Sequence, residues 1–345
     1  MTRNDQFLKA CRKEKTDFTP IWLMRQAGRY MEEYRKIRSK IDFLTMCKTP
    51  DLAAEVTLQP INRIGVDAAI IFADILLPLE PMGIKLEFAK NEGPVINNPI
   101  RTNEDVNALR HINTDEDLSF LPEAIRIVKQ ELNGKVPLIG FSGAPFTLAS
   151  YIIEGGSSRN YIHAKKMMYK EPERWNRLMD KISSVIINYL LAQVKSGAEA
   201  VQLFDSWVGC LSTEDYRQYV LPHSKKVIKN IKKEENVPVI HFGTNTTTLL
   251  QSMTEAGGDV IGMDWRINLD EGWGKIGFDR AVQGNLDPVV LLSNPVEIEK
   301  RVKDILKRAG GRPGHIFNLG HGILPETPVD NVIALVDMVH DLTGK

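Results

Sequence analysis

Two arginines four residues apart, Arg25 and Arg29, follow a short apolar run at 20–24. Their planar forks suit bidentate capture of carboxylates, and if the segment Arg25-Gln26-Ala27-Gly28-Arg29 is helical, the spacing puts both on one face. The window 25–40 holds six basic residues, Arg25, Arg29, Arg35, Lys36, Arg38 and Lys40, against Glu32 and Glu33. A local positive excess of this kind suits a small polyanion, although Arg35 to Lys40 read more simply as a solvated helix whose charges pair with each other. Asp74 follows an almost unbroken apolar run. Its carboxylate is expected at the rim of an apolar cavity, where a charge is costly without a partner. The alternative use of such an aspartate is a helix N-cap, but Ile75, Leu76, Leu77 and Pro78 follow with no capping-box acid. His321 lies between Gly320 and Gly322, which let backbone approach a ligand closely.

Groups so far apart in the chain need a scaffold that gathers them. Short β-rich runs ending in Gly, Asp, Ser or Asn occur at 20–24, 66–72, 136–141, 199–204, 237–242, 259–263, 280–284 and 315–319, the seventh being the weakest. Most are nearly continuous in apolar residues, the pattern of parallel strands buried on both faces. Helical periodicity lies between them: most clearly at 173–197, and also at 52–64, 121–132, 212–233, 247–256 and 296–309. Eight alternating units without a linker predict a single (β/α)₈ TIM barrel over residues 1–345, with an open doubly wound sheet as second choice. The stretch 91–117, rich in Asn, Asp and Thr, reads as a surface excursion before the third strand. In such a barrel the active site lies at the C-terminal ends of the strands. The residues after each run should therefore share one mouth: the Arg25 to Arg29 segment, Asp74, Ser142-Gly143, Asp205-Ser206-Trp207, Gly243, Asp264-Trp265, Asn285 and Gly320-His321-Gly322.

Composition narrows the class of partner. The 345 residues carry 44 basic and 44 acidic side chains, and 43% are hydrophobic. That is an ordinary folded chain without the electrostatic footprint of a nucleic-acid binder. No apolar stretch reaches membrane-spanning length, and the N-terminal residues lack the apolar core of a secretion signal. Cys11, Cys47 and Cys210 are too scattered for a disulfide framework or a zinc pair, which fits a reducing, cytoplasmic location.

With these residues assembled, the chain resembles the uroporphyrinogen decarboxylase family along its whole length. The resemblance rests on Pro-Ile-Trp-Leu-Met-Arg-Gln-Ala-Gly-Arg-Tyr at 20–30, Ile-Phe-Ala-Asp-Ile-Leu at 71–76, Gly-Phe-Ser-Gly-Ala-Pro-Phe-Thr-Leu-Ala-Ser-Tyr at 140–151, Gln-Leu-Phe-Asp-Ser-Trp at 202–207 and Asn-Leu-Gly-His-Gly-Ile at 318–323. It implies removal of the acetate carboxylates of uroporphyrinogen to give coproporphyrinogen, in haem biosynthesis. It also implies a substrate site lined by Arg25, Gln26, Ala27, Gly28, Arg29, Phe43, Asp74, Tyr151, Ser206 and His321, a homodimer, and no metal or organic cofactor.

The chemistry follows independently. Loss of CO₂ from an acetate leaves a carbanion, and a pyrrole becomes its electron sink once a ring carbon is protonated. An ionised Asp74 facing the pyrrole N–H groups would stabilise the resulting cation, the logic of an oxyanion hole with the sign inverted. Arg25 and Arg29 would hold substrate carboxylates, while Tyr151, Ser206 and His321 would fix which ring is presented. Arginine titrates far above neutrality, so these residues do not name the proton donor. Two rivals remain. A zinc-dependent methyltransferase of similar fold would need a His-x-Cys element, and the matching place reads His241-Phe242-Gly243. A non-catalytic tetrapyrrole carrier would share the basic clamp but have no use for a carboxylate facing the pyrrole nitrogens.

Overall fold

Seven parallel strands form the central sheet of the computed structural model, which describes residues 4–89 and 93–344. In chain order the strands are β1 (Ala69–Ile70), β2 (Leu86–Ala89), β3 (Gly93–Ile96), β4 (Leu138–Gly143), β5 (Ala200–Asp205), β6 (Val239–Gly243), β7 (Val260–Gly262), β8 (Ala281–Gln283) and β9 (His315–Ile316). The sheet runs β1-β4-β5-β6-β7-β8-β9, and β2 pairs with β3 as a separate antiparallel hairpin. Neighbours are in order of sequence with helices between them, the connectivity of parallel crossovers repeated along a curling sheet. Register is continuous through pairs such as Ile139 with Ala200, Val201 with Val239 and Ile240 with Val260.

The run at 20–24, expected as the first strand, makes only one parallel bridge, Ile21 with Phe317. Its hydrogen bonds nevertheless reach both ends of the sheet. The Phe317 N–H donates to the Pro20 carbonyl at 2.9 Å, and the Asp67 N–H donates to the Ile21 carbonyl at 2.8 Å. The ladder stops there for a chemical reason. Pro20 has no N–H, and the amides of Leu23 and Met24 donate to the side chains of Gln26 and Asn318 instead of a neighbouring strand.

Side chains from several strands meet on the concave face of the sheet. The Trp22 indole N–H donates to Gln283 at 2.9 Å, and the Gln283 amide donates to Gln202 at 3.1 Å. His241 and Asp205, both fully buried, face each other at 3.6 Å in this interior. His241 therefore lines the inside of the sheet, as a packed residue would.

Outside lie the helices, and the longest, Pro172–Ser196, buries Trp175, Leu178, Ile182 and Tyr189 along one stripe. The helix expected over 212–233 is two: Thr213–Tyr219 and Leu221–Glu234. Pro222 opens the second, since its ring and missing N–H cannot be accommodated inside a continuous helix. The stretch 91–117, expected on the surface, is largely exposed among its described residues but is anchored by secondary structure and buried apolar side chains. It contains β3 and the helices Asn103–Ala108 and Thr114–Asp117, and it places Ile96, Ile100, Val106 and Leu109 in the largest core cluster. Most of its polar residues are exposed, and some of them also cap helices: Thr102 and Asp105 form a capping box, and Asn113 accepts from the Asp115 N–H. Residues 91 and 92 lie outside the described residues.

Candidate active site

Residues 25–30 form turns, not a helix; the helix begins at Glu32 and runs to Arg38. Arg25 and Arg29 thus do not share a helical face. Arg25 sits at φ 61°, a left-handed conformation that costs a non-glycine residue energy and tends to persist at functional sites. The turn is held by its neighbours. Gln26 is buried: its side-chain oxygen accepts from the Leu23 N–H at 3.0 Å, and its amide donates to the Ala68 carbonyl at 3.0 Å. Gln26, expected to line the substrate site, ties the loop to the segment leading into β1 through its side chain. Arg35, expected to be a solvated charge, donates to the carbonyls of Arg29 and Tyr30 at 2.9 and 2.7 Å. Ala27 and Gly28 are half-buried in the same turn, and a Cβ on Gly28 would stand 3.0 Å from the Arg25 carbonyl. Among the described residues, neither Arg25 nor Arg29 has its guanidinium in an ion pair or hydrogen bond, so both remain available to a ligand.

Past β1 the chain leaves the ladder when the Phe72 N–H turns to Thr57 Oγ1 at 2.9 Å. Asp74 follows, with one carboxylate oxygen accepting from the Leu76 N–H at 2.9 Å. This contact, two residues along the chain, closes a local turn and is not a helix cap, since the following 3₁₀ segment Leu77–Leu79 has Leu76 at its N-cap; it occupies one oxygen while holding the group in place. Burial pushes the Asp74 carboxyl up to about 6; the Leu76 N–H and then the Arg25 charge oppose that rise. At neutral pH the group is mainly ionised yet poorly solvated. Phe43 lies in an aromatic wall beside it, stacked edge to face with Phe72 at 5.9 Å and Phe88 at 4.8 Å.

Tyr151 extends from the helix Pro145–Glu154 and meets the Trp207 ring at 5.7 Å. Its phenol is pushed up to about 12 by burial, with a Trp207 hydrogen bond opposing and the Asp74 charge reinforcing the rise. It stays protonated and can donate. Ser206 precedes Trp207, and its carbonyl accepts from Thr244 Oγ1 at 2.5 Å. Burial lowers the His321 imidazole to about 4, assisted by the charges of Arg25 and Arg266, so it is neutral at working pH.

The Arg25 charge acts on Asp74, Tyr151 and His321 alike, so these four expected residues lie near one another. Arg29 lies further along the wall, where Arg38, Arg29 and Arg25 all oppose the burial-driven rise of Tyr34. The glycines around His321 stand against other loops. A Cβ on Gly322 would meet Arg25 Cδ at 2.4 Å, and one on Gly320 would meet the Trp265 nitrogen at 2.6 Å. Their missing side chains make room for neighbouring protein groups. Asp205, Asp264 and Asn285, expected at the mouth, are buried braces: Thr147 donates to Asp205 at 3.0 Å, the Asn245 N–H to Asp264 at 2.6 Å, and the Asn285 amide to two carbonyls of the 264–267 loop. The sequence reading missed Arg266, although it lies directly after the Asp264-Trp265 pair. The three cysteines carry no chemistry here, since burial raises all three thiols, Cys210 to about 11.

A profile of the uroporphyrinogen decarboxylase (URO-D) family matches residues 2–342 of this arrangement. The chain belongs to the uroporphyrinogen decarboxylase family. A uroporphyrinogen decarboxylase from Carboxydothermus hydrogenoformans is 62% identical over 99% of this chain and 97% of its own length. Another from Sorangium cellulosum is 57% identical over 98% and 97%. Among solved structures, a methyltransferase from Methanosarcina mazei superposes with a TM-score of 0.81 over 99% of both chains at 20% identity, which establishes a shared fold and no more. Among the described residues no group of three or more His, Cys, Asp and Glu side chains is arranged to hold a metal ion. None of the described helices is long and apolar enough to cross a membrane.

Proposed function

We propose that this cleft decarboxylates uroporphyrinogen, releasing its four acetate carboxylates as CO₂ and leaving the methyl groups of coproporphyrinogen. The observation that carries the reading is Asp74: an ionised, poorly solvated carboxylate with one oxygen pinned to the Leu76 N–H, among the donors Arg25, Tyr151 and His321. Pyrrole N–H groups are the natural partners of its second oxygen. Protonation of a pyrrole carbon then creates an iminium-like cation that Asp74 stabilises. The C–CO₂ bond breaks with its electron pair entering the ring, and the exocyclic methylene takes a proton as the ring carbon loses one. Each cycle consumes one proton and releases one CO₂. The ring is the electron sink, so this route calls on no metal or organic cofactor. Arg25 and Arg29 hold carboxylates, the phenol of Tyr151 and the neutral imidazole of His321 donate hydrogen bonds, and the Phe43 wall keeps water from the reacting ring.

A catalytic (β/α)₈ barrel spanning 1–345 is the architecture we favour, supported by the hydrogen bonds that 20–24 makes to both ends of the sheet. Exposed Val289, Leu292 and Val296 support a homodimer, and a mass in solution of twice 38.9 kDa is expected. Free cysteines fit a cytoplasmic location. The test is anaerobic incubation of chelator-treated protein with reduced uroporphyrinogen III alone, followed by oxidation and chromatography. Conversion from eight carboxylates to four is expected. Binding without turnover would favour a carrier, and neither binding nor turnover would remove the reading altogether.

A further inference from the structure

Two guanidinium-bearing loops meet the residues flanking His321, and each contact depends on a glycine. Gly322 leaves room for the Arg25 side chain, and Gly320 leaves room for the backbone and ring of Trp265. Arg266 follows Trp265, and its guanidinium stacks 4.1 Å above that indole ring. It is also held by buried Asp264, with Arg266 Nη1 at 2.7 Å from one carboxylate oxygen and its backbone N–H at 3.0 Å from the other. Asp264 is itself fixed by the Asn245 N–H at 2.6 Å. The side chain of Arg266 is 42% exposed, against 1% for that of Asp264. A charge so anchored at one corner keeps the rest of its fork preorganised, and among the described residues Nε and Nη2 meet no protein acceptor.

We propose that Arg266 is a further substrate-binding residue, which takes the propionate carboxylate of the ring whose acetate is being removed. This rests on the decarboxylase reading of the cleft. Each pyrrole of the substrate carries an acetate and a propionate on adjacent carbons. The loops offer two guanidinium groups near one neutral imidazole. Arg25 is the one within reach of Asp74, so it faces the reacting acetate. Arg266 belongs to the other loop that meets the His321 segment and is partly exposed, which leaves it to take the group that is kept. Because every intermediate and the product retain all four propionates, the contribution of Arg266 is the same in each of the four cycles, unlike that of a group which holds acetates.

The test compares wild type with Arg266→Gln and Arg266→Lys. Uroporphyrinogen III and the pentacarboxylate intermediate serve as substrates, and coproporphyrin III, the oxidised product skeleton, as a fluorescent binding probe. For Arg266→Gln, KM should rise about tenfold for both substrates, coproporphyrin Kd should rise by a similar factor, and kcat should stay within about threefold. Arg266→Lys, which keeps the charge without the fork, should fall between. Unchanged KM and Kd in Arg266→Gln, alongside normal wild-type turnover, overturn the proposal and leave the decarboxylase reading intact. A fall in kcat with KM and Kd unchanged overturns it too, in favour of a purely structural loop anchor. Absence of wild-type turnover removes the decarboxylase reading, and the proposal with it.

Discussion

Replacing Asp74 by asparagine deletes one negative charge and leaves almost everything else in place. The amide oxygen can still accept from the Leu76 N–H, now at 2.9 Å, so the turn into the 3₁₀ segment Leu77–Leu79 should persist. What is lost is the electrostatic stabilisation of a cation that exists only after the pyrrole is protonated. Two unit charges about 4 Å apart at an effective dielectric near 20 interact by about 4 kcal/mol. Single donors in comparable preorganised sites account for about 10²–10³ in rate. Asp74→Asn should therefore reduce kcat by about 10²–10³ while KM changes by less than about fivefold. The assay is anaerobic turnover of uroporphyrinogen III with chromatographic counting of carboxylates. The same variant should alter stability in the opposite sense. The folded carboxyl is raised from 3.8 to about 6, so above pH 6 the native state bears the full cost of a poorly solvated anion, and that cost fades as pH falls toward 4. Asp74→Asn should melt higher than wild type at pH 7.5, with the gap closing by pH 4. A variant retaining more than about a third of wild-type kcat would refute the electrostatic role.

The remaining expectations follow from the same geometry. Activity should fall on the acid side with an apparent pKa near 6, where Asp74 protonates; a limb near 4, where His321 titrates, would assign the effect to the imidazole instead. Gly322→Ala would place a methyl 2.4 Å from Arg25 Cδ, so steady-state kinetics should show KM raised and kcat lowered at a nearly unchanged melting temperature; normal kinetics would show that Arg25 is not needed where it stands. Gln26→Leu orphans the Leu23 N–H and the Ala68 carbonyl, which should cost about 1–3 kcal/mol for each group in urea unfolding. A stability equal to wild type would mean that the two groups find water.

The local chemistry of this protein is legible in its residues. The apolar runs that become β1 and β4 to β9 have the composition of strands buried on both faces, although the similar run at 20–24 makes only one bridge. Polar residues after those runs had to lie at one end of a parallel sheet, which brought Arg25, Asp74 and His321 into one hypothesis; Tyr151 joined them through the family resemblance. Tertiary structure decided which of those residues face the cleft. Gln26, Asp205, Asp264 and Asn285 are polar too, yet each is held by a backbone or side-chain partner that folding delivers from a distant loop, with one oxygen of Asp205 left without a hydrogen bond among the described residues. The same holds for Gly320 and Gly322, whose missing side chains make room for Trp265 and Arg25 across the mouth. Spacing along a chain reports which groups can share an element. Which of two polar groups is satisfied internally and which is left for a ligand depends on contacts between elements, and those exist only once the sheet has curled.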